Sequence, residues 1–79
     1  MQDGERYTTE SSSAIESVRM VGRDLEVAYR HGGAYLYFDI ASEDRNAIED
    51  ALKGGASLGK VITDRIARRY PSVPMQPGR

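Results

Sequence analysis

The sequence predicts an α+β domain: a three-stranded antiparallel meander followed by two helices packed on one sheet face, in the order β-β-β-α-α. Three observations carry this expectation. From Asp24 to Arg30 the chain alternates, with Leu25, Val27 and Tyr29 set against Glu26, Ala28 and Arg30, and glycine-bearing turns bound it on both sides. Ile48, Ala51 and Leu52 form an i, i+3, i+4 stripe. Leu58, Ile62, Ile66 and Tyr70 recur at four-residue spacing between Ser57 and Pro71.

The first strand runs from Ile15 to Val21 and ends at Gly22-Arg23, a two-residue turn with glycine leading. That turn pairs Met20 with Leu25 and Val18 with Val27, which puts all four on one face. His31-Gly32-Gly33 makes the second turn, and Ala34 to Asp39 is the third strand. The first helix takes Ser42 as N-cap, with Glu43 and Asp44 complementing the dipole, and stops at Gly54-Gly55. Ser57 caps a second helix that runs to about Tyr70 and is closed by Pro71. Gly59 lies on its apolar face and allows close approach to the sheet.

The second turn decides what Tyr35 and Tyr37 do. A two-residue turn at His31-Gly32 would set Val27 opposite Leu36 and leave both tyrosines on the open face, as a platform for stacking a base. A three-residue loop with Gly33 in a bulge would set Tyr29 opposite Tyr35 and Val27 opposite Tyr37, making the tyrosines core. Two glycines suit the bulged loop, so the buried register is the expected one.

A chain of 79 residues holds one domain, and at that size roughly 60% of the unfolded surface is buried, so the core is marginal. Residues 1–13 read as a polar disordered arm, residues 14–70 as the domain, and residues 71–79, with three prolines, as a flexible tail. No cysteine is present, which excludes disulfides and thiolate metal sites. No apolar run reaches the roughly 18 residues that span a bilayer, and the N-terminus lacks a signal-peptide core. A cytoplasmic protein without a membrane partner is expected, monomeric although Ile15 to Val21 and Ala34 to Asp39 both stand as open sheet edges.

The net charge of −1 hides an asymmetry. Up to Ala56 six basic residues face eleven acidic ones, a balance of −5, whereas from Ser57 onward five basic residues face only Asp64, a balance of +4. Lys60, Arg65, Arg68 and Arg69 spread over about half of a helix circumference beside the apolar stripe, where they can contact phosphates. The same residues also serve a simpler end, since cations late in a helix complement its dipole. Arg69-Tyr70 combines a phosphate contact with a stacking ring, although Tyr70 falls on the apolar stripe.

Chemistry beyond binding has little support. His31 is the only histidine and has no second soft ligand, so no metal site is expected. Ser11-Ser12-Ser13 has no activating base near it in sequence, and the pairs Glu43-Asp44 and Glu49-Asp50 diverge in direction along a helix. Gly54-Gly55-Ala56-Ser57 lacks the Lys-Ser/Thr ending of a phosphate loop. No enzyme activity and no cofactor are expected.

Taken as an ordered set, Ser12-Ser13 before Ile15, Leu25-x-Val27-x-Tyr29, Gly32-x-x-Tyr35-x-Tyr37, Ser57-x-Gly59 and Ile66-x-x-Arg69-Tyr70 resemble the KTSC domain, named for a C-terminal extension of some lysyl-tRNA synthetases. The resemblance implies a small non-catalytic module, with RNA binding suggested by the tRNA-handling context of the family. Ile40-Ala41 replaces the family's usual Val-Pro before the first helix, and Val61-Ile62 stands where aromatics are common. The expected partner is RNA, held through the basic C-terminal helix. The alternative is a protein-interaction module, such as a phage-type small regulator that docks on a host protein machine.

Overall fold

A five-stranded antiparallel sheet, wound in sequence order, carries all the helical structure in one connection between its last two strands. The computed structural model describes residues 2–9 and 12–75. The strands are β1 (Arg6–Thr8), β2 (Ile15–Val21), β3 (Asp24–Tyr29), β4 (Gly33–Tyr37) and β5 (Ser72–Met75). Helix α1 (Ser42–Leu52) and helix α2 (Leu58–Val61) follow β4, and α2 runs directly into a π-helical turn, Ile62–Ala67.

The three-stranded meander followed by two helices is thus corrected. Two strands flank it, one drawn from the expected arm and one from the expected tail. Neither shows a period that could be read: Arg6-Tyr7-Thr8 holds one apolar group, and Ser72-Val73-Pro74-Met75 is exposed apart from the half-buried Met75. Both form because the sheet edges of β2 and β4 offer unpaired backbone groups, and an edge strand needs little more than that. Pro74 is tolerated since an edge strand leaves one side of its backbone unpaired. The expected disorder at residues 1, 10 and 11 and the expected flexibility at residues 76–79 lie outside the described residues.

The β2–β3 hairpin pairs Met20 with Leu25 and Val18 with Val27 across Gly22-Arg23, as the turn dictates, and Gly22 takes a left-handed φ of 63°. In the next hairpin Gly33, at φ 77°, already pairs with Tyr29, so Val27 meets Tyr35 and Leu25 meets Tyr37. The face is the buried one expected, but each tyrosine pairs two residues nearer the start of β3 than the bulged loop implied. The reason is local: the left-handed glycine closes the loop at the first residue of β4 rather than inside the strand.

One sheet face contributes Ile15, Val18, Met20, Leu25, Val27 and Tyr37 to the core, and the helical layer covers them with Ile40, Ile48, Ala51, Leu58, Ile62 and Ile66. Ser57 caps α2 as expected, its Oγ accepting the Lys60 N–H at 3.4 Å. The continuous helix to Tyr70 is not formed. Only four residues are α-helical before the chain widens to i→i+5 bonding, and helical structure ends at Ala67. Ile62 and Ile66 are both fully buried across that widened turn.

Replacing Tyr37, which is 5% exposed, by Ala is expected to cost about 3–5 kcal/mol, comparable with the whole stability of a domain this size. Urea denaturation followed by circular dichroism should show a largely unfolded variant. Tyr35→Ala removes a ring that is only half-buried and should shift the midpoint measurably less.

Candidate nucleic-acid interface

Two of the four cations read from the sequence turn out to serve an internal anion. Asp44, in the first turn of α1, is 1% exposed. The Tyr70 hydroxyl donates to its Oδ2 at 2.5 Å, Arg65 Nη1 donates to its Oδ1 at 3.0 Å, and Arg69 Nη1 stands 3.8 Å from the same oxygen. The Tyr70 hydroxyl also accepts the N–H of Ala41 at 3.0 Å.

Ala41, not Ser42, is the N-cap of α1, and it offers no side-chain cap. In a capping box the third residue after the cap reaches back to the cap N–H with its own carboxylate. Here the hydroxyl of Tyr70 stands between the two, so the helix start is capped from another element. Burial alone would raise the Asp44 carboxyl. The hydrogen bonds from Tyr70 and Arg65, with the charges of Arg69 and Arg65, outweigh burial and hold it below the usual carboxylate range. The same bond to Asp44 raises the Tyr70 phenol.

Sequence reasoning missed Asp44 as a site, treating it only as a complement to the helix dipole and half of an adjacent carboxylate pair. A signal was present: Asp44 precedes Ile48 by four residues and Ala51 by seven, so it lies on the apolar stripe of α1.

A second buried carboxylate lies on the opposite sheet face. Glu26, 6% exposed, accepts from Arg6 Nη2 at 2.9 Å and from Arg19 Nη2 at 2.8 Å, and Arg6 Nη1 also donates to Ser17 Oγ at 2.9 Å. Burial would raise this carboxyl too, and the hydrogen bonds and charges of the two arginines lower it overall. The Arg19–Glu26 pairing follows from the β2–β3 register, whereas Arg6 arrives with a strand the sequence did not reveal.

Tyr35, Tyr37 and Lys60 border two adjoining clefts, and Arg68 lies on neither. In the first, the rings of Tyr29 and Tyr35 meet edge to face, with centroids 6.0 Å apart and planes at 73°, and the Tyr29 and Tyr37 hydroxyls bond at 2.8 Å. Burial, then the bond to Tyr37, raises the Tyr29 phenol. Ser13 and Ala14 wall this cleft on one side and His31 and Gly32 on another.

Ser13 and Ala14 also wall the second cleft, whose far side carries Ser57, Gly59, Lys60, Thr63 and Asp64. Ser12 Oγ accepts the N–H groups of Ala14 and Ile15 at 3.2 and 2.9 Å, which shapes the shared wall and leaves its hydroxyl proton for a donor role. A methyl at Gly59 would lie 3.6 Å from Ser12 Oγ and 3.8 Å from Ala14 Cβ, in the segment before β2. This is ordinary contact, so the close approach to the sheet expected of this glycine is not what the position requires.

Lys60, Arg65, Arg68 and Arg69 are all exposed, and among the described residues Lys60 and Arg68 make no ion pair. Tyr70 is half-buried and bound to Asp44, so its hydroxyl is an internal group and not a free stacking handle. Among the described residues no three His, Asp or Glu side chains gather to hold a metal ion, and no helix is long and apolar enough to cross a membrane. No family model matches the chain, and neither the curated proteins nor the solved structures contain a match.

Both buried carboxyls sit below their ordinary values, so the stability they contribute is complete above about pH 5 and drains as pH falls through the carboxylate range. Asp44→Asn is expected to cost about 1–3 kcal/mol at neutral pH, since it strands the guanidinium of Arg65 and the hydroxyl of Tyr70. Denaturation midpoints across the acid range should fall less steeply for this variant than for the parent protein. Parallel curves for the two would exclude the linkage.

Proposed function

We propose that the protein is a small non-catalytic binding module, a cytoplasmic monomer that takes single-stranded RNA on its helical end. What supports the reading is the exposed group Lys60, Arg65, Arg68 and Arg69, set against only Asp44 and Asp64, a surplus of two positive charges in a chain whose net charge is −1. Phosphates approach Lys60 and Arg68 directly, while Arg65 and Arg69 keep outward donors beyond Asp44. Hydroxyls of Ser12, Ser13, Ser57 and Thr63 border the cleft beside Lys60 and can hydrogen-bond sugar or phosphate oxygens. The resemblance to the KTSC domain, carried by Gly32-x-x-Tyr35-x-Tyr37, Ser57-x-Gly59 and Ile66-x-x-Arg69-Tyr70, belongs to the same reading.

The internal pairing changes the expected strength. Four free cations would give a salt slope near −3 in log affinity against log salt, and a surplus of two gives about −1.4 on a single strand. Fluorescence anisotropy of a short labelled oligouridylate at several salt concentrations measures this slope. The double variant Lys60→Ala, Arg68→Ala should lose most of the binding and flatten the slope without loss of stability. Absence of binding at low salt, or binding indifferent to salt, excludes the reading.

One observation favours a protein-interaction module instead. On the open sheet face Val73 is 45% exposed, and register places it beside Leu36 with Ala34 and Met75 adjacent, a short apolar strip. A pull-down that recovers one protein partner, lost on Val73→Asp while RNA does not bind, would select this alternative.

A further inference from the structure

Half-buried tyrosines flanking a cleft beside a lysine-bearing groove call for an account that core packing does not supply. Tyr37 is sealed, yet Tyr29 and Tyr35 each keep exposed surface and both line the same depression. An edge-to-face pair engages one ring face only, so ring surface remains for another planar group. The hydroxyl bond from Tyr37 holds Tyr29 in place, and the edge contact holds Tyr35 against Tyr29. The platform is therefore set before any ligand arrives, which lowers the cost of ordering it on binding.

The neighbouring groove supplies the opposite chemistry. It shares the low wall of Ser13 and Ala14, and Lys60, the Thr63 and Ser12 hydroxyls and the Asp64 carboxylate line it. A phosphate there is held by Lys60 and the hydroxyls against one neighbouring anion. An aromatic floor on one side of a small-residue wall and a cation on the other match the two halves of a nucleotide. A single strand repeats ring and anion at every residue, whereas a peptide does so only where its sequence places an aromatic beside an acid.

We infer that the cleft of Tyr29 and Tyr35 stacks one base of a single strand, while Lys60 and the hydroxyls across the Ser13-Ala14 wall hold the adjoining phosphate. The inference deepens the nucleic-acid reading above and rests on it. It assigns the base contact to the helix-covered face of the sheet, at the end nearest the β3–β4 turn. The open face, where a two-residue turn would have placed the tyrosines, takes no part. Stacking of this kind tolerates any base, so the site distinguishes bases from no base rather than one sequence from another.

The experiment compares an oligouridylate with an abasic ribose-phosphate strand of equal length, titrated into the intact protein at low salt. The base-bearing strand should bind roughly 5- to 100-fold tighter. Ring resonances of Tyr29 and Tyr35 should shift with it and stay still with the abasic strand. Tyr35→Leu should bring the oligouridylate down to the abasic level while leaving the salt slope unchanged. If that variant does not fold, the ring shifts of the parent protein decide alone.

Equal affinity for both strands with motionless rings overturns the stacking site and leaves the phosphate reading standing. Failure of both strands to bind at low salt overturns the nucleic-acid reading, and the stacking site with it.

Discussion

The Asp44 carboxylate binds together the two ends of the helical layer, and the placement of the last strand follows from it. Asp44 sits where α1 begins, Arg65 and Arg69 approach from the π-helical turn and its exit, and Tyr70 lies two residues before β5. A buried carboxylate persists only if its lone pairs are satisfied, and leaving one partner out costs several kcal/mol in an interior site. The widened turn therefore does more than end a helix. It sets Arg65, Arg69 and Tyr70 around one point while keeping Ile62 and Ile66 in the core. From Tyr70 the chain turns through Pro71 directly into its pairing with β4.

Glu26 repeats the device on the other side of the sheet, where Arg6 and Arg19 lie over it and leave it 6% exposed on a face without a covering layer. Together the two carboxylates engage four of the arginines. Arg23 pairs with Asp39 at 3.2 Å, and Arg30 donates to the carbonyls of Thr9 and Ser12. The charged side chains of this protein thus act largely as internal fasteners. Phosphate contacts would fall to few residues, so the aromatic cleft would carry a larger share of any affinity for a single strand.

The short edge strands β1 and β5 cover the longer open edges that β2 and β4 would otherwise present. A chain of 79 residues buries a small core, and β1 and β5 each bring backbone pairing at the cost of few ordered residues. Pro74 and the short length of β1 also limit further pairing with another copy, because neither strand offers a long regular edge.

Local rules were enough for the parts of the fold that depend on neighbours in sequence. Gly22-Arg23 determined the β2–β3 register, alternation marked Leu25, Val27 and Tyr29 as one face, and the spacings of Ile48 with Ala51 and of Ile62 with Ile66 marked the helical layer's buried side. The four cations were also visible as a group, though not that two of them serve Asp44. Tertiary structure alone decided β1 and β5, the π-helical turn, the Tyr70 cap on α1 and the cleft shared by Ser13 and Ala14. The Tyr70 cap and the Arg6–Glu26 contact join residues 20 or more apart, and β1 reaches β2 across a connection without pattern. A short strand or a single hydroxyl has no periodicity to announce it and is stabilised by a partner that exists only once the sheet and helices have met.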